Sequence, residues 1–352
     1  MKNKKIIYLI IIFILILISI LFITYENFES FEKKYKSKSV IVSDKKYHPT
    51  YIVYCLVFDS NMKTTVNYLK SNIYPNLIFR NWDINSFNSR KFLKNKSFFI
   101  IPQFLNNKLN KKNKFVANLF FEEILFIVRK NSSFYKWSDI LKLKTKITIA
   151  YHEEHYGSYL IKDIYKNYNL SSIVNLKPVK LYQELGDMWE ENTVECIFIY
   201  GSSPSPFVNN INEINQIRFL NIKNLYNNFL KPNYSQIKSF NQPSNKSTRT
   251  RSSSKFSSDV PFFETAYSEI ELDTSYGFYV NMFANQDIDN CIIYNIIHKW
   301  VTMLPIIKKK LFWTRLINVF HMSSVNNENN IHDGALQFYS DFFENKLNLA
   351  IE

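Results

Sequence analysis

The sequence predicts an α/β protein with largely parallel sheet, carried behind an N-terminal membrane-spanning helix. Two observations lead there. Residues 6–23 read IIYLIIIFILILISILFI, an apolar run without a single charge. From residue 51 onward, short β-branched and aromatic runs alternate with segments whose apolar residues recur at helical spacing, the pattern of strand–helix–strand units. The composition agrees. Of 352 residues, 46% are hydrophobic and 17% aromatic, enough apolar surface to bury a full core, so global disorder is excluded.

The apolar run would span roughly 27 Å as a helix, close to the thickness of a bilayer core. Lys2, Lys4 and Lys5 precede it, and the exit Phe22-Ile23-Thr24-Tyr25-Glu26 lacks the small residues of a signal-peptidase site. Residues 1–24 therefore read as an uncleaved signal anchor. Lys33, Lys34, Lys36 and Lys38 on the far flank are diluted by Glu26, Glu29 and Glu32, so the charge balance places the N-terminus in the cytoplasm and the body across the membrane. Residues 25–46 are charged, lack periodicity and read as a juxtamembrane linker. Asn95-Lys96-Ser97 and Asn131-Ser132-Ser133 are sequons that suit an exported body, although so Asn-rich a chain also produces such triplets by chance.

Strand-like runs fall at 51–58, 97–102, 123–129, 146–150, 176–179, 194–200 and 276–283, and helical patterns at 61–74, 137–141, 157–168, 181–190, 288–303 and 335–343. The stretch 235–259, SQIKSFNQPSNKSTRTRSSSKFSSD, is rich in Ser and Lys/Arg and nearly free of apolar residues. It reads as a disordered surface loop, either inert or a phosphorylation or anion-docking segment around Arg249, Arg251 and Ser252 to Ser254. No internal repeat is visible.

Several chemistries are absent from the pattern. The net charge is +14, but the Lys residues are spread along the chain. With no zinc-finger, homeodomain or RNP signature, nucleic acid is not an expected partner. Cys55, Cys196 and Cys291 are far apart in sequence and cannot form a CxxC metal site or a disulfide framework. No GxSxG elbow occurs, and no cysteine sits in a charged setting that would activate a thiolate. His152-Glu153-Glu154-His155 is the one cluster with metal or acid–base character, but its histidines are i, i+3 in an expected loop rather than i, i+4 on a helix. The expectation is a non-enzyme without metal or cofactor.

Three blocks in order carry a family resemblance. Leu125 to Leu170 places Trp137-Ser138-Asp139-Ile140, Lys146-Ile147-Thr148-Ile149 and Gly157-Ser158 where the TAXI family of TRAP-transporter solute receptors has a strand, a short Asp-containing helix, a second strand and a glycine-rich loop. The segment VECIFIYGSSPSPFVNNI resembles that family's block ending in Gly-x-Pro-x-Pro, with Gly201, Pro204 and Pro206 in place. His332-Asp333-Gly334-Ala335 resembles its His-Pro-Gly-Ala signature. The resemblance implies a two-lobed, periplasmic-binding-protein-like (type II) fold. Lobe I would be residues 47–130 and 268–352, and lobe II residues 131–267. It implies capture of a small organic anion, a dicarboxylate or an amino acid, and a membrane permease as partner. The contacts carried over are Asp59, Ser60, Asn61, Gln103, Tyr156, Gly157, Ser158 and Gly201. Two departures stand out: Phe58-Asp59-Ser60-Asn61 and Tyr151-His152-Glu153-Glu154-His155-Tyr156 bring bulk where the family has glycines. Backbone N–H groups in such loops approach an anion less closely. The alternative reading is therefore a binding fold with a degenerate cleft, serving as a membrane-anchored structural or interaction protein.

Overall fold

The computed structural model describes residues 49–344 apart from 56–59, 82–95, 110, 203–204, 215, 235–236, 242–273, 315–316 and 325–329. The expected anchor and linker lie outside the described residues, and among those described no helix is long and apolar enough to cross a membrane. The strands are β1 (Tyr51–Cys55), β2 (Leu77–Asn81), β3 (Ser97–Pro102), β4 (Asn113–Arg129), β5 (Ile147–His152), β6 (Val174–Val179), β7 (Cys196–Ser202), β8 (Ile217–Phe219), β9 (Lys238–Asn241) and β10 (Thr274–Asn285). The helices used below are α1 (Ser60–Tyr68), α2 (Trp137–Ile140), α3 (Gly157–Asn167), α4 (Tyr182–Glu190), α5 (Pro206–Ile214), α6 (Asn290–Thr302) and, near the C-terminus, α7 (Asp333–Phe343).

The strands form one curled sheet in the order β2-β1-β3-β10-β4-β7-β5-β6, with β8 on β4 and β9 on β10. That order contains the same plan twice. In β2-β1-β3-β10-β4, three parallel strands meet an antiparallel one, followed by a strand parallel to the first three. In β6-β5-β7-β4-β8 the arrangement recurs, with β4 now the antiparallel member. Each half borrows its antiparallel strand from the chain crossing between halves. This is the two-lobed, periplasmic-binding-protein-like α/β architecture that the resemblance implies. It also corrects the largely parallel sheet expected from sequence: the crossing strands β4 and β10 make it mixed. The repeat is one of topology, invisible to residue matching.

Each half buries its sheet on both faces. In the second half, strand alternation sends Ile149, Tyr151, Phe198 and Phe126 toward one side, where Leu160, Ile161 and Ile164 of α3 cover them. Ala150, Ile197, Ile199, Leu125 and Ile127 face the other side, under Leu185 and Trp189 of α4 and Val208 and Ile211 of α5. The i, i+4 spacing of Leu185 and Trp189, and the cluster at 160, 161 and 164, explain why these segments are helical. In the first half, α6 and α7 pack together, and the Tyr339 hydroxyl of α7 donates to the Val116 carbonyl of β4 at 2.9 Å.

Three local expectations change. The strand expected at 123–129 runs from Asn113, 17 residues in all. Its first half, NKFVANLFFE, is buried on both faces and so shows no alternation. Residues 238–241, expected to belong to a disordered loop, pair with Thr274–Gly277 as β9, because main-chain pairing at a strand edge does not need apolar side chains. The rest of that stretch lies outside the described residues, save Ile237. His152 ends β5 rather than sitting in a loop.

Two residues make strong local demands. At Gly277, a Cβ would lie 1.8 Å from the Glu122 carbonyl oxygen, so β10 can cross β4 only without a side chain. Arg129, at the end of β4, donates to the Val194 carbonyl at 2.7 Å and the Trp189 carbonyl at 2.6 Å and lies 4.1 Å over the Trp189 ring. It thereby ties β4 to the C-terminal turn of α4, where a cation suits the helix dipole. Gly277→Ala is expected to destabilise the fold by about 3 kcal/mol. Arg129→Ala should cost about 2–3 kcal/mol, and Arg129→Lys should recover little of it, because the fork and the stacking are lost. Urea unfolding of the three variants against the parent checks both.

Candidate functional site

The place where such a fold would hold a ligand lies between the halves, beside the C-terminal ends of β1, β3, β5 and β7. Its floor is the middle of β4. Glu122 pairs with Phe278 of β10 on one side and Ser202 of β7 on the other, where the two halves of the sheet meet. Glu122 and Glu123 are both buried and point to opposite faces of the strand.

The Tyr156 side chain reaches in from the loop after β5 and donates its hydroxyl hydrogen to the Glu122 carboxylate. Its ring lies 4.1 Å from His155, 5.5 Å from Tyr200 of β7 and 6.4 Å from Phe104, which follows β3, centroid to centroid. Phe104 also packs on Tyr200 at 5.6 Å, Phe278 at 5.2 Å and Tyr234 at 6.3 Å. These spacings are those of rings in mutual contact. Among the described residues, side chains that follow β3 and β5 thus meet side chains of β7 and β10 in one ring cluster. Beside them, a cleft bordered by His152, Ser158, Tyr182 and Tyr200 has about 10 Å³ of space, room for about one water. Sites for small molecules are typically about 300–1,000 Å³.

The start of α3 explains why. Gly157 packs so closely on β7 that a Cβ would lie 2.6 Å from the Tyr200 Cβ. In that position the Gly157 N–H donates to Nδ1 of His155 at 3.0 Å, and the Ser158 N–H donates to the His155 carbonyl at 2.8 Å. The helix N-terminus, the best physical candidate for holding a carboxylate, is capped by the protein itself. The same device recurs at α7, where Nδ1 of His332 accepts from the Gly334 N–H at 3.2 Å.

The residues expected from sequence are placed as follows. Asp59 lies outside the described residues. Ser60 and Asn61 form the first turn of α1. Gln103 is buried directly after β3, and its Oε1 has no hydrogen-bond partner among the described residues. Tyr156, Gly157 and Ser158 are buried together at the start of α3. Gly201 is half-buried in β7, opposite Glu123 of β4. Sequence reasoning missed Glu122, Phe104, Tyr200 and Phe278. The one available signal was a pair of carboxylates in the otherwise apolar run FVANLFFEEILFIV. In the His152–His155 cluster, the His152 ring packs tilted on Tyr182 at 4.7 Å, and His155 is buried as a helix cap. Among the described residues no cluster of His, Cys, Asp and Glu could hold a metal.

No family model matches the chain, and no curated protein does either. Solved structures similar in chain path include a TctC solute binding protein from Polaromonas, at 10% identity, 85% of this chain, 98% of that one and a TM-score of 0.45. The periplasmic binding protein BugD matches at 8% identity, 85% of this chain, 98% of that one and a TM-score of 0.44. A structure from a study of glutathione import by GshT and the cystine importer TcyBC of Streptococcus mutans matches at 9% identity, 77% of this chain, 98% of that one and a TM-score of 0.42. The likeness is one of chain path, and neither ligand nor partner is taken from it.

The His155 cap has a measurable consequence. Burial, and next the neighbouring His152, push its folded pKa down to about 3 from an ordinary 6.5. Its contribution to stability is therefore complete above pH 6.5 and is lost as the pH falls toward 3, because the unfolded chain takes up the proton first. At pH 5 the loss from this residue is about 2 kcal/mol. His332, also lowered mainly by burial, adds in the same direction. Chemical denaturation at pH 7, 6 and 5 should show stability falling with pH, and His155→Gln should flatten that slope.

Proposed function

We propose that this chain is a membrane-tethered ectodomain built on the solute-receptor fold and working with the place between its lobes filled by its own side chains. It acts through its surface as a structural or interaction protein. The observation that carries this is the ring contact of Phe104, Tyr156 and Tyr200 over Glu122, with the Tyr156 hydroxyl on the carboxylate. The capped N–H groups of Gly157 and Ser158 support it. The tether is the apolar run at 6–23, with the N-terminus cytoplasmic and the body across the membrane. Kinship with the TAXI receptors rests on the three sequence blocks.

A second reading, capture of a small solute delivered to a membrane permease, is favoured by one observation. The Gln103 carboxamide is buried with its oxygen unpartnered among the described residues, as a ligand-facing acceptor would be. In this reading Asp59, with Ser60 and Asn61 of the first turn of α1, and Gly201 near the end of β7 complete the contacts, and the solute is a dicarboxylate or an amino acid.

Thermal unfolding of the full chain in detergent, followed by tryptophan fluorescence, separates the two. Small carboxylates and amino acids at millimolar concentration are expected to leave the melting temperature unchanged. A solute at 100 times its Kd would add about 2.7 kcal/mol and raise the midpoint by several degrees. Such a rise, abolished by Ser158→Trp, would overturn the closed reading in favour of the second.

A further inference from the structure

We infer that Tyr156 occupies, as an internal ligand, the seat an external solute would take, and that the seat is built for a neutral phenol rather than an organic anion. The inference rests on the reading of the place between the lobes as the ligand seat. Tyr156 belongs to the second half of the fold, yet its hydroxyl ends on the strand shared by both halves, and its ring meets Phe104 from the first half and Tyr200 from the second. A ring held between two lobes and a hydroxyl held at the strand they share are the contacts expected of a captured solute.

The chemistry of the walls selects the class. The polar group at the floor is a buried carboxylate that accepts the hydroxyl hydrogen. A hydroxyl brings a hydrogen to that acceptor, whereas an ionised carboxylate brings none. The N–H groups that could have held an anion at the start of α3 are bonded to His155. Among the described residues, the rings around the seat are Phe104, Tyr200 and Phe278, with the His155 ring alongside. A flat ring carrying one hydrogen-bond donor suits the ring walls and the carboxyl acceptor together, which an aliphatic dianion does not.

Truncating the internal ligand tests this. The full chain carrying Tyr156→Ala is melted in the presence of 4-methylphenol, the missing side chain, and of 4-methylbenzoate, similar in size but anionic. The expected result is a dose-dependent rise in midpoint with 4-methylphenol alone, together with slowed amide exchange over residues 155–158. The unaltered protein should respond to neither compound. If Tyr156→Ala folds only when 4-methylphenol is present, that rescue carries the same meaning. Tyr156→Val, which leaves a smaller void, provides the test if the first variant is unstable throughout. Indifference of a folded variant to 4-methylphenol, an equal or larger response to 4-methylbenzoate, or failure of both variants to fold with 4-methylphenol present would each overturn the inference. A carboxylate that stabilises the unaltered protein would overturn the closed reading instead, and the two failures are thus told apart.

Discussion

One strand belongs to both halves of this molecule, and a buried carboxylate lies at its midpoint. Placing Glu122 where β10, β4 and β7 run side by side removes a charge from water, which is tolerable only if the carboxylate is hydrogen-bonded or neutralised. The Tyr156 hydroxyl meets part of that demand. Meeting it draws the loop after β5 inward, brings Gly157 against Tyr200 and leaves His155 to cap the start of α3. The filled centre, the capped helix and the glycine at 277 follow from one crossing of two strands.

The consequence for function is a matter of volume and of occupied donors. A two-lobed fold captures a solute because rigid halves leave space between them and because loop N–H groups there lack partners. Here, among the described residues, Phe104, Tyr156, Tyr200 and Phe278 form a ring cluster, and the Gly157 and Ser158 N–H groups are bonded to His155. Opening such a centre would expose Phe104, Tyr156, Tyr200 and Phe278 together, at a cost of about 1.5–3 kcal/mol for each large side chain returned to water.

Much of the fold was legible in the sequence. β3 and α3 begin where their apolar patterns begin, and β5, α4 and β7 fall within two residues of expectation, since their alternation or helical spacing is set by one-sided or periodic burial. The first half of β4 was not legible: buried on both faces, it carries no period. The repeated strand order was hidden because topology repeats without residues repeating. At the centre, the glycine-poor stretch 151–156 was legible as such, and it carries the expectation that an anion is held less closely. Its glycine, Gly157, is needed for packing on Tyr200 rather than for room around a ligand. Phe104, Tyr200 and Phe278 could not be assigned to the centre from sequence, because an aromatic residue in an apolar run looks the same whether it fills a core or a cleft.

The central claim, that the two halves stay closed on their own side chains, is most directly tested by measuring the distance between them. Spin labels on cysteines introduced at Lys70 and Lys166, both exposed and on opposite halves, with Cys291 replaced by serine, would report it by pulsed dipolar spectroscopy in the full chain. The account predicts one narrow distance distribution, unchanged by millimolar amino acids and carboxylates. A broad or two-peaked distribution that narrows when a solute is added would contradict it.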